Sequence, residues 1–324
     1  MRHSIARRIG AGLAGVGALL AASAVAQAQS WPSKPVRIVV ALAPGGTADV
    51  FARLLAPGLT SALKQQVLIE NRPGSAGTIG SAYVASAAPD GHTLLMCGSG
   101  PQITAPIINK TVGYDPITGF THLAMVAGDG YMLVANPSLG AKTLAQLEAA
   151  GRASINTGSP GSGSLGHLLI EHTKRRTGID LAHVPYKSGN DGLKELLGGH
   201  IGLVMSPVIS ASAMVSAGRI VPLGITTAER NPAFPNVPTF REQGHDVIGL
   251  TWFWVCGPKG LPAAVAQRLA TEVRRIVKVP AVKKVLDRDA LVSPDLTGDA
   301  LMRFIAADIA QWRPLIGEIG IKVQ

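Results

Sequence analysis

Apolar and polar positions along this chain fall into two alternating patterns. Short β-branched runs such as Val36-Arg37-Ile38-Val39-Val40 are followed by longer stretches with apolar residues at helical spacing. Strands are expected at 36–40, 66–70, 93–97, 121–126, 131–135, 153–156, 182–185, 201–205, 220–226 and 251–256. Helices are expected between them, for example at 48–63, 143–150, 165–177, 190–197 and 262–277. Alternation of this kind implies parallel or mixed sheets covered by helices, an α/β fold.

The first 28 residues follow a different pattern. Arg2, Arg7 and Arg8 precede an apolar stretch from Ile9 to Ala26, and Ala26-Gln27-Ala28 is a small-x-small cleavage site. This is the layout of a cleaved signal peptide, residues 1–28. A membrane anchor is the rival reading, but the stretch is rich in Gly and Ala rather than Leu and ends at the cleavage motif. Cleavage leaves about 296 residues, more than one comfortable core, so two domains are expected. No internal repeat and no Ser- or Gly-rich linker separates two halves. The expectation is therefore two domains that exchange strands through a shared hinge.

Charge and composition narrow the partners. The formal charge of +10 falls to +7 when the three leader arginines are removed. The remaining cations are scattered and aromatics make up only 4% of the chain, so no stacking platform for nucleic acid is expected. A basic exported protein of this kind suits small anions, although such a surface can also carry no function. Cys97 and Cys256 lie in apolar strand-like runs. They could bridge in an oxidising compartment, but a chain with this much core does not need it, and buried free thiols are the favoured reading.

Two turns carry candidate chemistry. Ala43-Pro44-Gly45-Gly46-Thr47-Ala48-Asp49 follows the first expected strand and opens a helix. Glycines there let backbone N–H groups face outward, and the helix start adds partial positive charge, making an anion seat without a cationic side chain. The second turn, Thr157-Gly158-Ser159-Pro160-Gly161-Ser162-Gly163-Ser164, offers four hydroxyls beside exposed amides. Gly161, Gly163 and Gly166 formally satisfy a dinucleotide fingerprint, but the motif is serine-rich and mid-chain, and Asp180 precedes the next strand instead of ending it.

Catalytic constellations are not found. No serine is flanked by glycines two residues away on both sides, and no phosphate-binding P-loop or H-E-x-x-H is present. His167 and Glu171 share a helix face while His172 points elsewhere, which fits a surface pair better than a metal site. His183 is expected to be a buried, hydrogen-bonded histidine. Asp90, Asp115 and Asp191 neighbour Gly or Pro and read as turn and cap residues. No catalytic residue, metal or cofactor is expected.

A longer series of motifs then carries a family resemblance. Pro44-Gly45-Gly46-x-x-Asp49-x-x-Ala52-Arg53 is followed by Glu70-Asn71-Arg72-Pro73-Gly74-Ser75-Ala76-Gly77 and Ala88-Pro89-Asp90-Gly91-His92. Val184-Pro185-Tyr186-Lys187, Leu197-Gly198-Gly199 and Pro235-Asn236-Val237-Pro238 come later, and Gln311-Trp312 closes the series. In order and spacing this resembles the Bug-type receptors, the periplasmic solute-binding proteins of tripartite tricarboxylate transporters.

The resemblance implies a two-lobed fold of the type II periplasmic-binding-protein kind with the ligand between lobes. Lobe one would comprise residues 29–127 and 250–324, and lobe two residues 128–249. The ligand would be a small organic carboxylate held largely by backbone amides and waters. Gly46, Thr47, Ala48 and Asp49 would form the first-lobe seat with Gly98 and Ser99. Gly158, Ser159 and Ser162 would close from the second lobe. The receptor would be a monomer that hands its cargo to membrane permease subunits.

Two departures qualify the cargo. Members often carry an aromatic shortly before the Pro-Gly-Gly turn, where Ala41-Leu42-Ala43 stands here. Many have an acid near Met205-Ser206-Pro207, and its absence favours a plain or aromatic carboxylate over an amino acid. Two other classes stay open at this point: a ligand sensor of the same fold feeding a signalling protein, and an α/β enzyme.

Overall fold

A computed structural model of the protein describes residues 31–109, 111–151 and 154–320. The expected leader, residues 1–28, lies outside the described residues. So does Ala153, the first residue of the strand expected at 153–156.

The chain runs β1 (Val36–Val40), α1 (Thr47–Leu63), β2 (Val67–Asn71), α2 (Thr78–Ala85), β3 (Thr93–Gly98) and, after a π-helical turn at Gly100–Thr104, the short α3 (Ala105–Ile108). It continues through β4 (Phe120–Ala135), α4 (Leu144–Ala149), β5 (Ile155–Ser159), α5 (Leu165–Thr177), β6 (Leu181–Pro185), α6 (Gly189–Leu197), β7 (Leu203–Pro207), α7 (Val208–Ser216) and β8 (Val221–Ile225). The last elements are β9 (Leu250–Pro258), α8 (Ala263–Val277), α9 (Pro280–Arg288) and α10 (Gly298–Ile319).

The strands form one path in the order β2-β1-β3-β9-β4-β7-β5-β6, with β8 also paired to β4. At one end β1 pairs in parallel with β2 and β3, and at the other β5 pairs in parallel with β6 and β7. The two parallel groups are joined by the long antiparallel strands β4 and β9. Residues Phe120–Gly130 of β4 pair with β9, and Tyr131–Ala135 pair with β7 and β8. A single strand thus serves both halves of a two-lobed α/β fold. Parallel strands sandwiched by helices are buried on both faces, which is why Val36, Ile38, Val39 and Val40 are all fully buried.

Sequence and structure part at identifiable places. The two strands expected at 121–126 and 131–135 are one continuous strand. Gly128-Asp129-Gly130 lies outside both expected strands, yet these residues pair with Trp252, Thr251 and Leu250 of β9. A Cβ on Gly128 would come within 2.3 Å of the Trp252 ring, so glycine is there for close packing rather than for a turn. Helices α2 and α7 fall between expected strands, and α9 and α10 follow the last of them.

The cysteines correct an expectation outright. Cys97 and Cys256 form a disulfide, not free thiols. Each lies on one of two adjacent antiparallel strands, β3 and β9, whose register sets Leu95 opposite Cys256 and Cys97 opposite Trp254. That diagonal leaves their Cα atoms 6.4 Å apart, within bridging range. The pairing follows from strand order, which a sequence separation of 159 conceals.

Candidate ligand-binding cleft

In α/β sheets, ligands settle in the crevice beyond the carboxyl ends of parallel strands, where the connections diverge. Here a cavity of about 70 Å³ occupies that position. From one side its wall is made by Leu42 and Gly46-Thr47-Ala48 after β1 and by Gly98-Ser99-Gly100-Pro101 after β3. From the other come Pro160, Ser164 and Leu165 after β5, Ser188 and Gly189 after β6, and Pro207 at the end of β7. Tyr131, Thr251 and Phe253 of the shared strands β4 and β9 form the floor.

Four helices begin at this wall. Their N-cap residues are Gly46 for α1, Ser164 for α5, Ser188 for α6 and Pro207 for α7. The serine caps use their own hydroxyls, Ser164 accepting from the His167 amide and Ser188 from the Asp191 amide. The start of α1 has no side-chain cap, so its first-turn amides stay available to a ligand. Aligned helix starts concentrate partial positive charge, and no carboxylate lines the cavity to oppose it. Burial, with the Asp129 carboxyl nearby, pushes the Tyr131 phenol up, so it remains a neutral hydroxyl. The arrangement can hold an anion.

Hydrogen bonds cross the cleft. Asn190 Nδ2 of α6 donates to the Gly45 carbonyl, and Thr104 Oγ1 donates to the Gly163 carbonyl. Beside the cavity, a wider chamber of about 850 Å³ opens between Pro73–Thr78 and Pro160–Gly163. Leu42, Ala76, Pro160 and Lys187 line both spaces.

The chain matches the family described as "Tripartite tricarboxylate transporter family receptor" over residues 51–321. It belongs to that receptor family. Among solved structures, the periplasmic binding protein BugD is 27% identical with a TM-score of 0.86, the alignment covering 91% of this chain and 100% of BugD. Rpa4515 of R. palustris, solved with adipate, is 31% identical with a TM-score of 0.86, covering 90% of this chain and 99% of that one. MatC from Rhodopseudomonas palustris, solved with bound malate, is 26% identical with a TM-score of 0.82, covering 88% and 100%.

Set against this receptor's cleft, the expected site residues divide. Gly46, Thr47, Ala48, Gly98 and Ser99 come together in the cavity wall. Asp49 sits behind it, 3% exposed, accepting from the Gly45 amide at 2.9 Å, Arg53 Nε at 2.8 Å and Asn71 Nδ2 at 3.0 Å. Burial pushes its carboxyl up, and the bonds from Arg53, Gly45 and Asn71 outweigh that and hold it below the ordinary value. It braces the turn and does not cap the helix, since Gly46 occupies the N-cap.

The second wall differs more. Gly158 and Ser159 belong to β5, paired with Val184 and Pro185, and do not line the cavity. Ser159 Oγ lies 2.6 Å from His183 Nε2, and His183 stacks on His167 with ring centroids 3.6 Å apart. Burial holds His167 down to about 4 and, together with the His167 neighbour, His183 down to about 3. The Gly163 amide donates to His167 Nδ1 at 3.1 Å. This neutral stack supports the loop from behind. Ser162 lines the outer chamber.

Sequence reasoning placed Ser164 in the second turn without naming it a contact, and missed Ser188, Gly189, Tyr131 and Lys187 as cleft residues. The signal for Ser188 was readable, because Ser188-Gly189-Asn190-Asp191 has the spacing of a helix cap.

Proposed function

We propose that this receptor captures a small organic carboxylate between its lobes and delivers it to the membrane permease subunits of a tripartite tricarboxylate transporter. The observation that carries this reading is a cavity framed by four helix starts with no carboxylate in its wall. Backbone amides in that setting favour an anion. Adipate and malate in two family structures agree with the class, since both are small dicarboxylates.

In this proposal lobe one comprises residues 29–127 and 250–324, and lobe two residues 128–249. The change of partner along β4 between Gly130 and Tyr131 supports a division there. Gly46, Thr47, Ala48, Gly98 and Ser99 touch the carboxylate, with Asp49, Gly158 and Ser159 holding their loops in place and Ser162 at the entrance. The chain is exported to the periplasm after loss of residues 1–28 and acts there as a monomer without catalysing a reaction. Ligand contacts from both walls favour the closed arrangement, and only differential affinity for it drives closure.

A thermal-shift screen of residues 29–324 against di- and tricarboxylates, aromatic acids, acidic amino acids and nucleotides tests the proposal. A true ligand at 100-fold excess over its dissociation constant adds about 2.7 kcal/mol, which raises the melting point by several degrees. A selective shift by one carboxylate class supports the receptor reading. A selective shift by nucleotides, or turnover of a bound carboxylate, contradicts it.

A further inference from the structure

Among the described residues, Lys187 is the one charged side chain lining either the inner cavity or the outer chamber, and it lines both. It lies on the segment between β6 and α6, beside the N-cap Ser188. Its charge has no protein partner among the described residues, neither an ion pair nor a hydrogen bond. The nearest acid along the chain is already engaged: Asp191 accepts from Ser188 Oγ at 2.8 Å and from Lys194 at 3.5 Å. Many other lysines of this molecule are paired, as Lys34 is with Asp90, Lys174 with Asp180 and Lys278 with Asp295.

The two spaces divide the work by size. About 70 Å³ surrounded by helix starts suits one carboxyl end of a ligand, and about 850 Å³ beyond it leaves room for the remainder. Leu42, Ala76 and Pro160, common to both walls, are apolar and suit a methylene chain passing from one to the other. Lys187 stands at the same junction with an unmatched positive charge.

We infer that Lys187 recognises a second anionic group on the ligand and makes this receptor selective for dianions over monoanions. The inference rests on the carboxylate-binding reading above and deepens it by naming the substrate class. One carboxylate sits among the amides of the inner cavity, and the other meets the Lys187 ammonium at the outer chamber. A lysine, a point charge on a flexible stem, can follow the second carboxylate across a range of chain lengths. Selection therefore acts on charge more than on length.

The test is calorimetric titration of the mature protein with two matched pairs, adipate against hexanoate and succinate against butyrate. The wild type binds each dianion at least about tenfold tighter than its partner, equal to about 1.4 kcal/mol. Lys187→Gln abolishes that preference, lowering dianion affinity at least about tenfold more than monoanion affinity, and Lys187→Arg, which keeps the charge, retains it. Lys187 is exposed, so an unchanged melting temperature verifies that the variants fold. Two results overturn the inference and leave the receptor reading standing. One is an undiminished dianion preference in Lys187→Gln, and the other is wild-type binding of carboxylates with no preference at all. Failure of every carboxylate to bind the wild type removes the receptor reading and this inference together.

Discussion

The two walls of the cleft are built from the same kind of connection, a Gly-rich turn between a parallel strand and a helix, yet they use it differently. After β1 the strand stops at Val40, the turn is short, and Gly46-Thr47-Ala48 face the cavity directly. After β5 the strand carries on through Gly158 and Ser159, and the loop that follows is held by its own serines and by the His167–His183 stack. One wall presents backbone to the ligand with a carboxylate bracing it from behind. On the other, the connection after β5 spends its hydroxyls on itself and contributes to the cavity only at Pro160 and the helix start Ser164-Leu165. A glycine therefore means open backbone on one wall and tight packing on the other.

Valine substitutions separate these two uses. Gly46→Val puts a side chain into the cavity wall, while its Cβ meets only the Ala43 carbonyl at 3.5 Å. Ligand affinity should fall by at least about 100-fold, about 2.7 kcal/mol, with the melting temperature little changed. Titration and a melting curve on the same sample check this, and retained affinity removes Gly46 from the seat. Gly158→Val should do the reverse. Its Cβ would lie 2.9 Å from Ile201 Cδ1 and 3.1 Å from the Tyr186 ring, so overpacking should cost about 1–3 kcal/mol of stability. The folded fraction should still bind ligand, and a binding loss larger than the stability loss would place Gly158 in the site after all.

The smallest effect concerns the brace behind the first wall. Asp49→Asn weakens bonds to the Gly45 amide, Asn71 and the half-exposed Arg53, and should cost about 1–2 kcal/mol near pH 7. The folded carboxyl titrates below its ordinary value, whereas the unfolded one titrates near about 3.9. Asp49 therefore adds stability above that unfolded value and loses it as pH falls through the folded one. Denaturant midpoints should show the variant and wild type converging below about pH 4. A gap that stays constant down to pH 2 would contradict the role given to Asp49.

The same contrast explains what could be read from the residues alone. Local signals were reliable: the strand and helix on either side of Pro44-Gly45-Gly46 were expected within a residue of their positions, and α5 fell on 165–177 as expected. Asp90, Asp115 and Asp191 serve turns and caps as their neighbours suggested, Asp115 accepting from the Ile117 and Thr118 amides. Signals that depend on distant partners were not legible. Where β5 ends is set by its ladder with β6, not by the composition of its loop. Gly128-Asp129-Gly130 is strand only because β9, more than a hundred residues later, lies alongside it. The Cys97–Cys256 bridge requires the same distant strand. Lys187 stood out as one of a series of motifs, but only the convergence of two connections makes it part of a cleft wall.

The most direct test is a crystal structure of the mature wild-type protein grown with adipate. The account predicts one carboxylate in the inner cavity, within about 3 Å of the Thr47 or Ala48 amide and facing the start of α5. A ligand bound elsewhere, or a carboxylate held there by side chains with those amides turned away, would contradict it.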